Sequence, residues 1–116
     1  MLTQEVIDTL YRKFSRKPSS PDSLDIDLLF ALPADTHNVE IDHDANLIIN
    51  SISPESPFHC IPLANIHAIV NFEDEVAIVL HSTLVILEKG TSKVFIHINP
   101  PKKSLSERLS SLFGRD

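Results

Sequence analysis

Glycine is nearly absent: the 116 residues contain two, Gly90 and Gly114. A phosphate-cradling loop needs repeated glycine so that backbone N–H groups can close on the anion, and a G-x-S-x-G nucleophile turn needs two at fixed spacing. Both devices are excluded. Cations are missing from the middle of the chain. Between Pro18 and Glu88 there is no lysine or arginine, against twelve carboxylates. Net charge is +2 over residues 1–17, −12 over 18–88 and +4 over 89–116, which together make the −6 of the whole. Such segregation bears on steering and choice of partner rather than on fold, and it disfavours nucleic acid and anionic lipid as ligands of the middle segment. Cys60 is the single cysteine, so no internal disulfide forms and a reducing, cytoplasmic setting is expected. No apolar run approaches the roughly 20 residues of a bilayer-spanning helix, so membrane insertion is not expected. The first residues, MLTQEVIDTLYRKF, interrupt their apolar side chains with charge and lack the core of a signal peptide.

What is present is ordinary for a globular protein: 42% hydrophobic and 22% charged residues. The length implies a single domain over 1–116 with one core. Leu2, Val6, Leu10 and Phe14 recur at i+4, and Ile7 and Tyr11 widen the stripe, so residues 1–17 read as an amphipathic helix. Thr3 is placed to cap its start, and Asp8 and Arg12 are spaced to pair. The Lys17-Pro18-Ser19-Ser20-Pro21-Asp22 run ends the helix, because proline lacks an N–H and biases its predecessor away from helix. Residues 18–23 are expected to be a linker.

Over 24–99 the period changes to two. Ile26, Leu28 and Phe30 alternate with Asp25 and Asp27, which predicts a half-buried strand ending at Pro33. Further strands are expected around Val39–Ile41, Leu47–Ile52, Phe58–Ile61, Ile66–Phe72, Val76–His81, Leu84–Leu87 and Val94–Ile98. Asp44-Ala45-Asn46, Glu73-Asp74-Glu75, Ser82-Thr83 and Lys89–Ser92 mark the turns between them. This spacing predicts an antiparallel meander or a curled, barrel-like sheet of six to eight strands, hence an α+β fold. The late strands are apolar on both faces: Val79, Val85, Leu87 and Phe95 lie out of phase with Val76, Leu84 and Val94. Both faces therefore require cover, from helices, sheet closure or a partner.

Residues 104–113 carry the sharpest local signal. Ser104-x-x-Glu107 is a capping box, Leu105, Leu109, Leu112 and Phe113 form one apolar stripe, and Gly114 is placed to close the end. A C-terminal amphipathic helix packed on the sheet is expected. Antiparallel hairpins leading through Ile61-Pro62-Leu63-Ala64-Asn65-Ile66 to Asn99-Pro100-Pro101, and then to a Leu-rich helix, resemble bacterial pleckstrin-homology-like (PH-like) domains from Asn38 to Phe113. The resemblance implies a barrel of about seven strands plugged by the last helix. It does not carry phosphoinositide binding, because the early strands that bear cations in lipid-binding members are acidic here. The N-terminal helix is an addition to that pattern.

Candidate chemistry is sparse. Six histidines include no H-x-H on a strand and no H-x3-H or H-x-x-E-H on a helix, the spacings that bring two ligands to one metal. Asp42-His43-Asp44 with His37 is the nearest cluster and reads more simply as a solvated turn. His81 and His97 read as strand residues that tip outward or hold one backbone partner. His59 and Cys60 are neighbours on a strand and point to opposite faces, so a thiolate–imidazolium pair is disfavoured and Cys60 reads as core. No catalytic residue, metal or cofactor is assigned. The expectation is a non-catalytic protein-interaction module that uses an apolar sheet face or strand edge ringed by carboxylates, with Glu73, Asp74, Glu75, Val79, Val85 and Leu87 as interaction residues. Its partner is a protein, a basic one or a second copy of the chain. The alternatives are a ligand pocket at a barrel mouth lined by Phe30, Phe58, Phe72 and Phe95, and an enzyme using His43 or His59 with nearby carboxylates.

Overall fold

Helix α1 spans Gln4–Phe14 in the computed structural model, which describes residues 2–14, 24–51 and 59–98. Thr3 caps it as the sequence predicts: its Oγ1 accepts from the Val6 N–H at 3.3 Å and its carbonyl accepts from Ile7 N–H at 3.0 Å. These bonds satisfy donors that the first turn leaves free. Ile7, Leu10 and Tyr11 are buried. The expected Asp8–Arg12 pair does not form. Asp8 instead accepts from the Gln4 amide at 2.8 Å, and Arg12 donates to the Thr9 hydroxyl at 3.3 Å. The linker 18–23 and the helix 104–113 lie outside the described residues.

The strand expected before Pro33 is a helical turn. Asp27–Phe30 form α2, with Leu29 N–H bonded to Ile26 O at 3.0 Å and Ala31 N–H to Asp27 O at 3.0 Å. The alternation rests on two aspartates alone; from Leu28 to Leu32 every residue is apolar, so a period of two has no polar partner there. Leu29 and Leu32, three apart, are the buried ones, while Phe30 is 47% exposed. That spacing belongs to a helix.

Seven strands follow among the described residues, in two antiparallel meanders. Sheet one holds β1 (His37–Ile41), β2 (Asn46–Ser51) and β3 (His59–Pro62) in chain order. After a 3₁₀ turn at Leu63–Asn65, sheet two holds β4 (Ala68–Asn71), β5 (Glu75–Val79), β6 (Thr83–Glu88) and β7 (Val94–Ile98), again in order. The β1–β2 register puts Val39 opposite Ile49 and Ile41 opposite Leu47. The β5–β6 register puts Ile78 opposite Val85. Among the described residues the two sheets do not close into a barrel.

The two-faced apolar strands find cover on both sides. Leu47, Ile49 and Ile61 of sheet one face Ile69, Val76, Ile78, Val85 and Leu87 of sheet two, and Leu29 and Leu32 join the same core. On the opposite face of sheet two, Ala68, Ala77, Val79, Leu84 and Ile86 pack under Ile7, Leu10 and Tyr11 of α1. Burying each large aliphatic side chain is worth roughly 1.5–3 kcal/mol, so both layers contribute to stability. The strand expected over Ile66–Phe72 begins later than its first residue. Ile66 precedes it and joins the inter-sheet core, while Ala68, Val70 and Phe72 line the α1 side.

Candidate interaction site

The six residues expected to meet a partner do not share one surface. Glu73 and Asp74 are exposed at the two-residue tip between β4 and β5, where Phe72 N–H bonds to Glu75 O at 2.8 Å. Glu75 already belongs to β5 and is buried at 3% exposure. Val79 is fully enclosed beneath α1, and Val85 and Leu87 are enclosed between the sheets. These three valine and leucine side chains are core, because the cover that the sequence demands comes from the chain itself. Of the six, Glu73 and Asp74 at the acidic tip remain accessible.

The histidines disperse. His37, at the start of β1, is 1% exposed and bonds through Nε2 to the Glu88 carbonyl of β6 at 2.9 Å. His43 sits at the opposite end of β1, in the β1–β2 turn, 3.7 Å from Asp44. The Asp42-His43-Asp44 group and His37 are therefore not one site. Asp42 is occupied in shaping that turn: Oδ1 accepts from the N–H groups of Asp44 and Asn46, each at 2.9 Å, and Oδ2 from the Asn46 amide at 3.2 Å. The Asn46 N–H foremost holds the Asp42 carboxyl below its ordinary pKa. Burial pushes His59 down from its ordinary value. Cys60, expected in the core, is exposed on the opposite face of β3, so the two do not meet. Among the described residues no group of three His, Cys, Asp or Glu gathers closely enough to hold a metal ion. The phenylalanines expected to line one cavity separate: Phe72 and Phe95 pack on the α1 side, Phe30 is exposed, and Phe58 lies outside the described residues.

Sequence reasoning does not identify the crevice between α1 and β4. It encloses about 300 Å3, with Val6, Leu10 and Phe14 on the helix wall, Val70 and Phe72 on the strand wall, and Glu5 and Lys13 at the rim. The Lys13 ammonium stands 5.4 Å from the Phe14 ring centroid, within cation–π range. The helical stripe is readable, but nothing in the sequence says which strand it borders. Topology decides this: β4 is the first strand of sheet two, and no described strand pairs with its outer edge. His67, just before β4, is buried and its Nδ1–H meets the Phe14 carbonyl, so it fixes the end of α1 beside that edge. A second crevice of about 360 Å3 lies between α2 and the β6–β7 turn, lined by Leu28, Leu32, Pro33, Asn71, Lys89 and Gly90. Its polar groups are engaged with each other and with the backbone: Lys89 Nζ donates to Asn71 Oδ1 and to the Phe72 carbonyl, both at 2.6 Å.

Comparison of the chain with protein-family models, curated proteins and solved structures finds no match. Among the described residues, no helix is long and apolar enough to cross a membrane.

Proposed function

We propose that this protein is a non-catalytic interaction module that takes an extended, basic-flanked protein segment at the β4 edge. The observation that carries this reading is an open apolar crevice beside a strand edge with which no described strand pairs, and whose far end runs into Glu73 and Asp74. An extended segment laid along β4 adds main-chain hydrogen bonds, places an apolar side chain between Val6, Leu10 and Phe72, and brings its cations to the acidic tip. Of the four outer strands among the described residues, β4 and β1 are bordered by carboxylates, and β4 adjoins the crevice lined by Val6, Leu10 and Phe14. Neither crevice presents uncommitted polar groups converging on a point, the feature that would favour a small-ligand site or an enzyme. Kinship with PH-like domains is likewise a proposal, resting on residues 61–66 and the Asn99-Pro100-Pro101 junction.

The test is titration of 15N-labelled full-length protein with short apolar peptides flanked by lysine or by glutamate. Lysine-flanked peptides are expected to shift resonances of Val6, Leu10, Val70 and Phe72, and to bind several-fold more weakly as salt rises from about 50 to about 300 mM, since screening shortens the reach of the acidic tip. Glu73→Lys with Asp74→Lys removes that salt dependence. Equal binding of both peptide types, or shifts confined to sheet one, overturns the proposal.

A further inference from the structure

The β4–β5 register and one turn bond fix which main-chain groups of β4 face outward. Val70 stands opposite Ala77 and Asn71 opposite Val76, which puts Phe72 opposite Glu75, and the Phe72 N–H bonds to the Glu75 carbonyl at 2.8 Å. Opposed residues of an antiparallel pair alternate between those that exchange hydrogen bonds and those that do not. Val70 and Phe72 therefore direct their N–H and C=O groups to β5. Ile69 and Asn71 turn theirs to the outer edge, with which no described strand pairs. The side chains of Val70 and Phe72 line the crevice under α1, whereas Ile69 belongs to the inter-sheet core.

The crevice also has an electrical direction. The Phe14 carbonyl meets His67, just before β4, so Lys13 stands on the rim near the start of that strand. Glu5, on the same rim, lies about 12 Å back along the helix axis at 1.5 Å per residue. The rim is thus basic beside the start of β4 and acidic away from it. Past Phe72 the chain turns through Glu73 and Asp74, both exposed.

We infer that the segment bound at this edge runs antiparallel to β4, with its apolar anchor opposite Val70 and its cations three and four residues before that anchor. The inference rests on the reading of the β4 edge proposed above and adds the direction and spacing of the partner's sequence. Cross-strand neighbours share a face, so a side chain enters the crevice only from a position opposite Val70 or Phe72. Val70 has an outward-facing residue on either side, Ile69 and Asn71, so a segment centred there is bonded before and after its anchor. Phe72 has one on a single side. Antiparallel pairing is the slightly more stable mode. In that direction the residues before the anchor pass Asn71 and Phe72 and reach Glu73 and Asp74 at the third and fourth positions, where lysine or arginine meets the carboxylates. The residues after the anchor run towards Lys13, where a cation meets repulsion. A parallel segment needs the opposite order.

The test uses the full-length 15N-labelled protein and two acetylated, amidated peptides of one composition: Lys-Lys-Thr-Thr-Leu-Thr-Thr and its reverse, Thr-Thr-Leu-Thr-Thr-Lys-Lys. The first is expected to bind several-fold more tightly, shifting resonances of β4 and α1. Methylating single peptide amides then reads the register. In the antiparallel pair the residues on either side of leucine donate their N–H groups to the Asn71 and Ile69 carbonyls, and the leucine N–H points away from β4. N-methylation on either side is expected to abolish binding, and N-methylation of leucine itself to leave it nearly unchanged. In a parallel pair the leucine N–H is the donor, so the effects exchange. Equal affinities, tighter binding of the reversed peptide, or loss only on methylating leucine overturns the inference while leaving the edge as the site. Binding of neither peptide, or shifts confined to residues outside β4 and α1, overturns the reading of the edge and this inference with it.

Discussion

Tyr11 of α1 meets His97 of β7, 86 residues later: its hydroxyl lies 3.3 Å from the His97 carbonyl and 3.4 Å from the imidazole Nδ1. The first helix is thereby tied to the last described strand. Burial raises the Tyr11 pKa above its ordinary 10.0, because the phenolate is the form that loses solvation. Above pH 10 the unfolded chain therefore releases the proton more readily than the folded one, and stability falls as pH rises through that window. Tyr11 is the only tyrosine and there is no tryptophan, so phenolate absorbance reports this group alone. The expected midpoint lies above 10 in native protein and returns to about 10 in urea. Tyr11→Phe removes the alkaline fall at a cost of about 0.5 kcal/mol, since both contacts are long for O–H donors. A native midpoint at or below 10 contradicts this.

Ala45 adopts φ 61°, the left-handed region. The Asp42–Ala45 turn bond of 3.3 Å and the Asp42–Asn46 bond of 3.0 Å make this a type I turn followed by a left-handed residue, the usual three-residue hairpin loop. A Cβ in this conformation costs roughly 1–2 kcal/mol, offset in part by the greater unfolded freedom of glycine. Ala45→Gly is expected to stabilise the protein by about 0.5–1 kcal/mol, read as a higher urea midpoint at unchanged slope. A lower midpoint excludes the strain.

Residues with one consistent period are legible in the sequence, and residues whose period is ambiguous are not. The α1 stripe and the two-faced strands β5 and β6 each have a single reading, and the structure has that reading; the turn expected at Asp44-Ala45-Asn46 closes earlier, over Asp42–Ala45, and Asn46 already belongs to β2. The demand for a second layer follows from Val79 and Val85 being apolar out of phase with Val76 and Leu84. What supplies each layer does not, because pairing a face with its cover is a long-range choice that local pattern does not encode. The same gap explains the misplaced site. Val79, Val85 and Leu87 need cover, as their pattern says, but α1 and sheet one provide it and leave nothing there for a partner. Leu28–Leu32 mislead for the opposite reason: five apolar residues in a row satisfy either period.

The pKa of His59 is depressed by burial below its ordinary 6.5. The unfolded chain therefore takes up a proton before the folded one does. The stability associated with neutral His59 is fully present above pH 6.5 and is lost as pH falls through 6.5 towards the folded value. Urea midpoints of the parent and His59→Gln, measured from pH 8 to 5, should diverge in slope, with the glutamine variant the flatter. Parallel curves over that range would falsify this assignment.

Asp42 sets the next acid step. Its carboxyl is held below 3.8 chiefly by the Asn46 N–H, so its contribution is present above 3.8 and is lost as pH falls through the depressed folded value. Replacing Asp42 with alanine removes an acceptor for two backbone N–H groups of the β1–β2 turn. The gap in thermal midpoint between parent and Asp42→Ala is expected to be widest near pH 6 and to close towards pH 2. A gap that persists at pH 2 would show that the carboxylate charge is not what holds the turn.

Leu29 and Phe30 distinguish the helical turn from the strand that alternation predicts. In α2, Leu29 is fully buried against the inter-sheet core while Phe30 is 47% exposed. Leu29→Ala deletes enclosed volume and is expected to cost about 2–5 kcal/mol, depending on how far the sheets can close over the gap. Phe30→Ser leaves no cavity and is expected to stay within roughly 1 kcal/mol. In a strand built on Ile26, Leu28 and Phe30 the order reverses, because Leu29 would face water and Phe30 the core. Denaturant midpoints of the two variants therefore decide between the conformations without any further structure: a Phe30→Ser loss larger than that of Leu29→Ala restores the strand.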